Sequence, residues 1–531
     1  MLHDAGGILQ SHSKTDTTWF RCLGVGLLLA IQFAILIPGI LDLTATYDEH
    51  THLPSGYTYL KTGDFRLNSQ HPPFVKLLAA TPLLALEPQL NLNDPAWRGP
   101  RQDEWAFGAR FLYTNDTDRL LFWGRLPVVL LSLLLSGYVF VWARQLFCPA
   151  AGWLSLLLSV FSPTLLAHSR FVTFDAPLAV FVTMALYHFW RWQRDGTTLH
   201  ASLGGLALGL ALATKFSGLI LLPVLAILLG LCAVQKVQRT GKLLLGAALA
   251  LALAALVIQA CYFFPFSFEP YLDGVTRVNA DRDPNFSYFL MGEFSTGGFW
   301  NYFLVAFLVK TPLPLLLALL ATGALYRRFK RISLRDEAFL WVPVLLFLLV
   351  TSWKADNIGV RYLLPIYPLL FIAVGRLAKG WNGGRPSRVA LVLLVLWYAG
   401  GTLRVQPDQL AFFNEIAGGA EGGHRWLDDS NISWGQDVKR IKWWMDDNGV
   451  DRIKFRYGRN VAPGHYGIRS VPVSDAEWLG DPPPGLYAFD THELIRGRLH
   501  EQKNPAFKTD WLERYEPIAR IGYSCYVFRF D

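Results

Sequence analysis

The sequence predicts a polytopic α-helical membrane protein of about eleven spans, followed by a small extracytoplasmic α/β domain. Three observations predict it. Hydrophobic residues make up 52% of the 531 positions and charged residues only 17%, with a mean hydropathy of +0.28, a balance unusual for a soluble chain of this length. Apolar runs of spanning length recur up to residue 404 and then stop. Residues 405–531 change character, becoming charged and Trp-rich. The formal net charge of +8 resides in short links between apolar runs, which reads as topology signalling and excludes a nucleic-acid footprint. Five cysteines, Cys22, Cys148, Cys232, Cys261 and Cys525, form no CxxC pair, so neither a disulfide scaffold nor a metal cluster is expected.

The first run, Cys22 to Leu41, reads as a permanent helix rather than a cleaved leader. Further runs lie near 123–142, 152–168, 174–190, 202–214, 217–233, 243–264, 299–325, 338–352, 359–377 and 389–403. PPFVKLLAATPLLAL (72–86) is short and proline-bearing, which favours a surface-lying or re-entrant helix inside a first outer loop, 42–120. A second large outer loop covers 265–298. With Lys14 and Arg21 in the cytoplasm, the cytoplasmic links become ARQLF, RWQR, QKVQRTGK, YRRFKR and GRLAKGWNGGRPSR, all basic, as the positive-inside bias requires. Residues 1–404 are then the transmembrane domain of a multi-pass inner-membrane protein, and 405–531 lie outside the cytoplasm. In that tail DVKRIKWWMDDNG reads as a helix, and RIKFRYG, GLYAFD and SCYVFRF as strands.

The chemistry gathers on the outer side. Asp48 and Glu49 follow the first span by about seven residues, and His50, His52 and His71 come next. Helix capping is the alternative use of the two acids. Asp175, the loop EPYLDGVTRVNADRDP (269–284) and Glu293 carry further acids to the same side. Lys215, Lys310, Lys354 and Arg361 interrupt or flank apolar runs there. Snorkelling accounts for any one of these cations, whereas several on the acid-bearing side point to a phosphate or diphosphate site. Pro72 and Pro73 rigidify the chain after His71, which is a candidate for sugar or phosphate contact. DSNISWGQD reads as an N-cap-rich turn entering a helix at 436–448, with its Asp and Asn side chains spent on local backbone hydrogen bonds.

Several motifs in order carry a resemblance: the acidic pair after the first span, QHPPF, GRLPVVLLSLL, TFDAPLAVFVTMALYHFWRW and GVRYLLPIYPLLF. Together they resemble the membrane-embedded glycosyltransferases of the GT-C superfamily, in the branch of protein O-mannosyltransferases and the lipid A aminoarabinose transferase. The resemblance covers roughly residues 20–445. FFNEIAGGAEGGHRWLDDSNISWGQDVKRIKWW looks like an extension of bacterial members described as phospholipid carrier-dependent. The resemblance implies a GT-C fold and an inverting hexosyl or pentosyl transfer from a polyprenyl-phosphate carrier to a protein, lipid or glycan acceptor. It maps the acid at the reacting centre onto Asp48, with Glu49 beside it. Arg361, with Lys215 or Lys310 and Tyr362, would meet the carrier phosphate, and His71, His52, Asp175 and Glu293 the sugar or acceptor. No cofactor is expected; a divalent ion, if used, would fall to Asp48, Glu49, His50 and His52. A secondary transporter and a membrane anchor acting through its tail are the competing classes.

Overall fold

The computed structural model describes residues 5–98, 103–280, 283–328, 332–458, 461–480, 482–504, 506–509 and 511–531. Among them, six helices are long and apolar enough to cross a membrane: Phe20–Asp42, Thr117–Leu146, Phe216–Val234, Thr240–Cys261, Val360–Lys379 and Arg385–Arg404. The expected run 299–325 is instead a pair, Tyr302–Lys310 and Leu313–Ala324, bent by 109°. Its cause is local. Pro312 lacks an N–H and holds Thr311 extended, so the helix stops and restarts. Counting that pair as one span gives seven, and the expected count of about eleven is not confirmed.

Helices inside a bundle need not be apolar all round, which explains the shortfall. Asp175–Asp195 is buried along most of its length yet carries Asp175, His188, Arg191 and Arg194. The run at 152–168 is divided into Pro149–Val160 and Pro163–His168 by a turn at Ser162. Thr198–Thr214 packs closely on Thr240–Cys261 because Gly205 and Gly209 have no side chain. A Cβ at Gly205 would lie 2.5 Å from the Cα of Ala250, and one at Gly209 2.7 Å from the Cβ of Val257, the small-residue contact of membrane bundles.

The first large loop folds as Glu49–Thr62, then Phe74–Ala80 continued by a 3-10 turn, Thr81–Ala85. Val75, Ala79, Ala80 and Leu83 bury against the loop and the Thr117–Leu146 helix. The second loop holds a helix, Glu269–Ala280, and a hairpin of β1 (Tyr288–Leu290) and β2 (Glu293–Ser295). Positions 281 and 282 of its acidic stretch lie outside the described residues.

After the last span, residues 409–434 run as short 3-10 turns that bury Leu410, Phe413, Leu427, Ile432 and Trp434. The α/β part begins at helix Val438–Asp447. Five strands follow, β3 (Ile453–Arg456), β4 (Ser470–Pro472), β5 (Gly485–Asp490), β6 (Ala519–Ile521) and β7 (Cys525–Phe530), in the order β4-β3-β5-β7-β6. β4, β3 and β5 are parallel, while β7 is antiparallel to both β5 and β6. Side-chain alternation separates two cores. Ala488 and Val527 join the helix residues Val438 and Ile441, whereas Tyr487, Phe489, Phe528 and Phe530 surround Trp478 and Trp511 on the other face.

Candidate active site

Charge is concentrated where the first loop, the start of Asp175–Asp195 and the 358–362 turn meet. The Arg361 guanidinium donates from Nη1 to Asp48 Oδ2 at 2.8 Å and lies 3.9 Å from Asp175 Oδ2. Lys215 Nζ donates to the other Asp175 oxygen at 2.5 Å and lies 4.1 Å from the centre of the Tyr362 ring. Asp48, Arg361, Asp175 and Lys215 thus alternate in sign along one line. The structure brings together these four and Tyr362, all expected from the sequence.

Asp48 precedes helix Glu49–Thr62 but makes no side-chain cap bond there. Its side chain is 22% exposed. Glu49 lies on the opposite side. It receives Arg125 Nε at 2.8 Å and Nη2 at 2.7 Å, the Val172 N–H at 2.9 Å and the Thr46 N–H at 2.9 Å, with both charged side chains fully buried. Burial pushes the Glu49 carboxyl up, but the Arg125 charge and these bonds outweigh it and hold the group below its usual range. Arg125 also donates to the carbonyls of Leu43 and Thr44. Glu49 therefore positions the loop that carries Asp48, with its own acceptor sites filled.

His52 Nδ1 donates to the Val172 carbonyl at 2.7 Å, and its ring lies 4.2 Å from Phe174 and 5.8 Å from His71. Burial pulls His52 down to about 4 and His71 well below its ordinary value, so both rings are neutral near pH 7. Phe174 immediately precedes Asp175, which ties the histidine pair to the charged line. His71 also lines an open cavity of about 580 Å³ with the aromatic rings of Tyr59, Phe65 and Tyr262 and the carboxylates of Glu269 and Asp273.

Two expected residues go elsewhere. Lys310 Nζ donates to the carbonyls of Leu410 and Asn431, each at 2.7 Å, and lies over the Phe413 ring. It fastens the 410–431 segment to the bundle. Glu293 opens strand β2 and is exposed to solvent, away from the charged line among the described residues. His50 is held by the Thr46 carbonyl and the Tyr113 hydroxyl. Among the described residues no three His, Cys, Asp or Glu side chains converge on a point that could hold a metal ion. Glu49 and His52 already have partners, so the donor set named from the sequence does not converge either.

The sequence places the tail stretch DDSNISWGQD over or beside the mouth of the site, but not the contacts that hold it there. Within DDSNISWGQD, Asp429 Oδ1 accepts the Ser430 N–H at 2.6 Å and Asn431 Nδ2 donates to the Asp428 carbonyl at 2.8 Å, the expected local bonds, while Asp437 makes no side-chain cap bond to the next helix. Asn431 Oδ1 instead accepts the Val360 N–H at 3.0 Å, and Ser430 Oγ donates to the Ile358 carbonyl at 2.7 Å. Thr44 N–H and Tyr47 N–H reach the Gln436 and Trp434 carbonyls, each at 2.8 Å. The segment so held places the Trp434 ring 4.4 Å from the Arg361 guanidinium carbon, a cation–π contact. Lys76 was missed too. It is fully buried, and its ammonium donates to the Asn68 and His71 carbonyls at 2.6 and 2.8 Å, fixing the backbone at His71. A lysine inside PPFVKLLAA was the available signal.

Residues 117–258 match the family described as Dolichyl-phosphate-mannose-protein mannosyltransferase. The fold is similar to that of ArnT from Cupriavidus metallidurans in the apo state, with 15% identity over 97% of this chain and 98% of that one and a TM-score of 0.50. The same protein bound to undecaprenyl phosphate matches at 15% identity over 95% and 97% of the two chains, with a TM-score of 0.47. The archaeal oligosaccharyltransferase AglB from Archaeoglobus fulgidus, in complex with an inhibitory peptide and a dolichol-phosphate, matches at 11% identity over 94% and 73%, with a TM-score of 0.49. No curated protein matches the sequence significantly.

Proposed function

We infer that this chain, a multi-pass membrane protein with the GT-C fold and a mannosyltransferase-family segment, transfers a sugar from a polyprenyl-phosphate carrier to an acceptor on the extracytoplasmic side. The observation that carries the reading is the state of Arg361. Its Nη1 is engaged by Asp48, while its buried Nε has no hydrogen-bond partner. An orphaned donor on a buried charge is costly, and a phosphoryl oxygen is the partner a guanidinium fork fits best. Lys215, held by Asp175, supplies a second positive charge to the same region.

The mechanism follows as a single displacement. As the bond between the sugar and the phosphate breaks, negative charge grows on phosphate oxygens, and Arg361 with Lys215 meets it. Asp48 accepts the proton of the acceptor hydroxyl or amine as the new bond forms, inverting the anomeric centre. Asp175 holds both cations in register. Neutral His52 and His71 face the sugar, whose body fits the cavity beside His71, a volume within the range of small-ligand sites. The basic links support a cytoplasmic location for the opposite end of the bundle. The residues at 405–437 roof this site, and 438–531 form the extracytoplasmic domain.

The test is identification of the donor. Lipid extracted from the purified protein is analysed by mass spectrometry, and transfer is then measured from polyprenyl-phosphate sugars in liposomes. Retention of a polyprenyl phosphate and turnover of one such donor are expected. A protein that retains no polyprenyl phosphate and turns over none of the donors would overturn the reading.

A further inference from the structure

A second cleft of about 590 Å³ opens between the 416–426 segment, the β1–β2 turn at Met291 and strand β6. It shares no lining residue with the charged line at Asp48 or with the cavity beside His71. Its polar lining is predominantly cationic. Arg425 is exposed and has no ion-pair partner among the described residues. Arg520 stands on β6 with Glu421, the one carboxylate in the lining, at 3.4 Å. His424 also lines the cleft.

The other lip is apolar and is tied to the spanning helices. Ile416 is 72% exposed. Two residues earlier, Asn414 Nδ2 donates to the Leu308 and Thr311 carbonyls at 2.6 and 2.9 Å, at the bend of the 302–324 span. Between them, Glu415 Oε1 receives the Trp397 indole N–H at 2.7 Å from within the span Arg385–Arg404. Leu304 and Leu308 of the same region are exposed on the bundle surface. The cleft therefore has a lipid-facing edge on the bundle and a guanidinium-bearing wall that includes the sheet domain.

We propose that this cleft binds a phosphoryl group at the membrane boundary, presented by the headgroup of an anionic membrane phospholipid. Arg425 and Arg520 reach the phosphate oxygens, and an acyl chain runs past Ile416 into the bilayer. Such a lipid fastens the sheet domain to the membrane beside the roof of the active site. Because it does not depend on the transfer reaction, this assignment stands or falls separately from the proposed function.

The experiment uses the full-length protein in neutral detergent. Phosphatidylglycerol, phosphatidylcholine and inorganic phosphate are each added, and occupancy is read by native mass spectrometry. Losing two charge-assisted contacts is expected to lower phosphatidylglycerol occupancy about tenfold or more in Arg425→Gln/Arg520→Gln. Arg469→Gln, near β4 at the opposite edge of the sheet, should bind like wild type. The single Arg425→Gln change, at an exposed side chain, reports on the site if the double variant fails to fold. Displacement of the lipid by inorganic phosphate would assign the site to the phosphoryl group in any carrier. No displacement, with loss in the arginine variants, would assign it to the lipid headgroup. Equal phosphatidylglycerol and phosphatidylcholine occupancy in wild type, or unchanged occupancy in the arginine variants, would overturn the proposal.

Discussion

The carboxylate of Asp48 and the guanidinium of Arg361 are hydrogen-bonded at 2.8 Å although 313 positions separate them in the chain. On the proposed function, the base and the phosphate-binding group hold each other until donor arrives. Carrier phosphate competes for Arg361, and its binding releases Asp48 toward the acceptor.

Asp48→Asn is expected to lower transfer at least about 100-fold, the scale of a lost positioned base. Carrier retention should persist, because Arg361 keeps Asp175 and Trp434 beside it. Single-turnover transfer with bound donor checks this, and near-wild-type turnover would remove Asp48 from the reaction.

Arg361→Lys retains the charge but not the fork, so donor use should weaken. Arg361→Ala should cost about 2–4 kcal/mol of transition-state stabilisation. Rates at limiting and saturating donor separate the two effects. A fully active lysine variant would shift attention to Lys215.

Arg125→Met is expected to act on stability instead. It leaves Glu49 charged and fully buried without its partner, a loss of about 3–5 kcal/mol. Its thermal unfolding in detergent should fall well below that of Asp48→Asn, whose midpoint should stay close to wild type. Equal midpoints for all three proteins would deny Glu49–Arg125 its positioning role.

The joint between the roof and the sheet domain carries its own pH response. Burial pushes the Asp437 carboxyl up to about 7, with Arg440 opposing and Asp408 adding to the rise. An unfolded aspartate titrates near about 4, so the folded state holds its proton longer. The corresponding stability is present below about 4 and is lost as pH rises toward about 7. Wild-type melting temperature should therefore drop more between pH 5 and pH 8 than that of Asp437→Asn. Parallel curves for the two proteins would contradict it.

Protease added to cells with an opened outer barrier should release a fragment from beyond residue 405 and spare the basic links at 191–201 and 327–336. Protection of the tail until the inner membrane is lysed would reverse the orientation.

Asp48, Asp175, Lys215 and Arg361 were legible in the sequence because a charge beside an apolar run is conspicuous and expensive. The β5 and β7 strands were legible for a similar reason, since YAF and CYVFRF alternate between two cores. Direction was not legible. Neighbours in sequence, Asp48 and Glu49 face different partners because helix Glu49–Thr62 begins between them. Lys310 looked equivalent to Lys215, yet carbonyls 100 and 121 positions away claim it. Trp434 gave no signal either, since its place over Arg361 depends on pairing with a loop near residue 45. The bend in the 302–324 pair has its cause in Pro312, whereas the span count is not confirmed because interior helices are allowed polar faces.

The roof segment also sets an order of events in biosynthesis. Thr44 emerges early, but the Gly435 carbonyl that its hydroxyl needs is 391 positions later. At roughly 5–20 residues per second, the first loop waits on the order of tens of seconds after translation passes it. A chain synthesised only to the last span therefore has most of its helices and still lacks the roof over Arg361. On the proposed function, synthesis as far as the roof is the arming step.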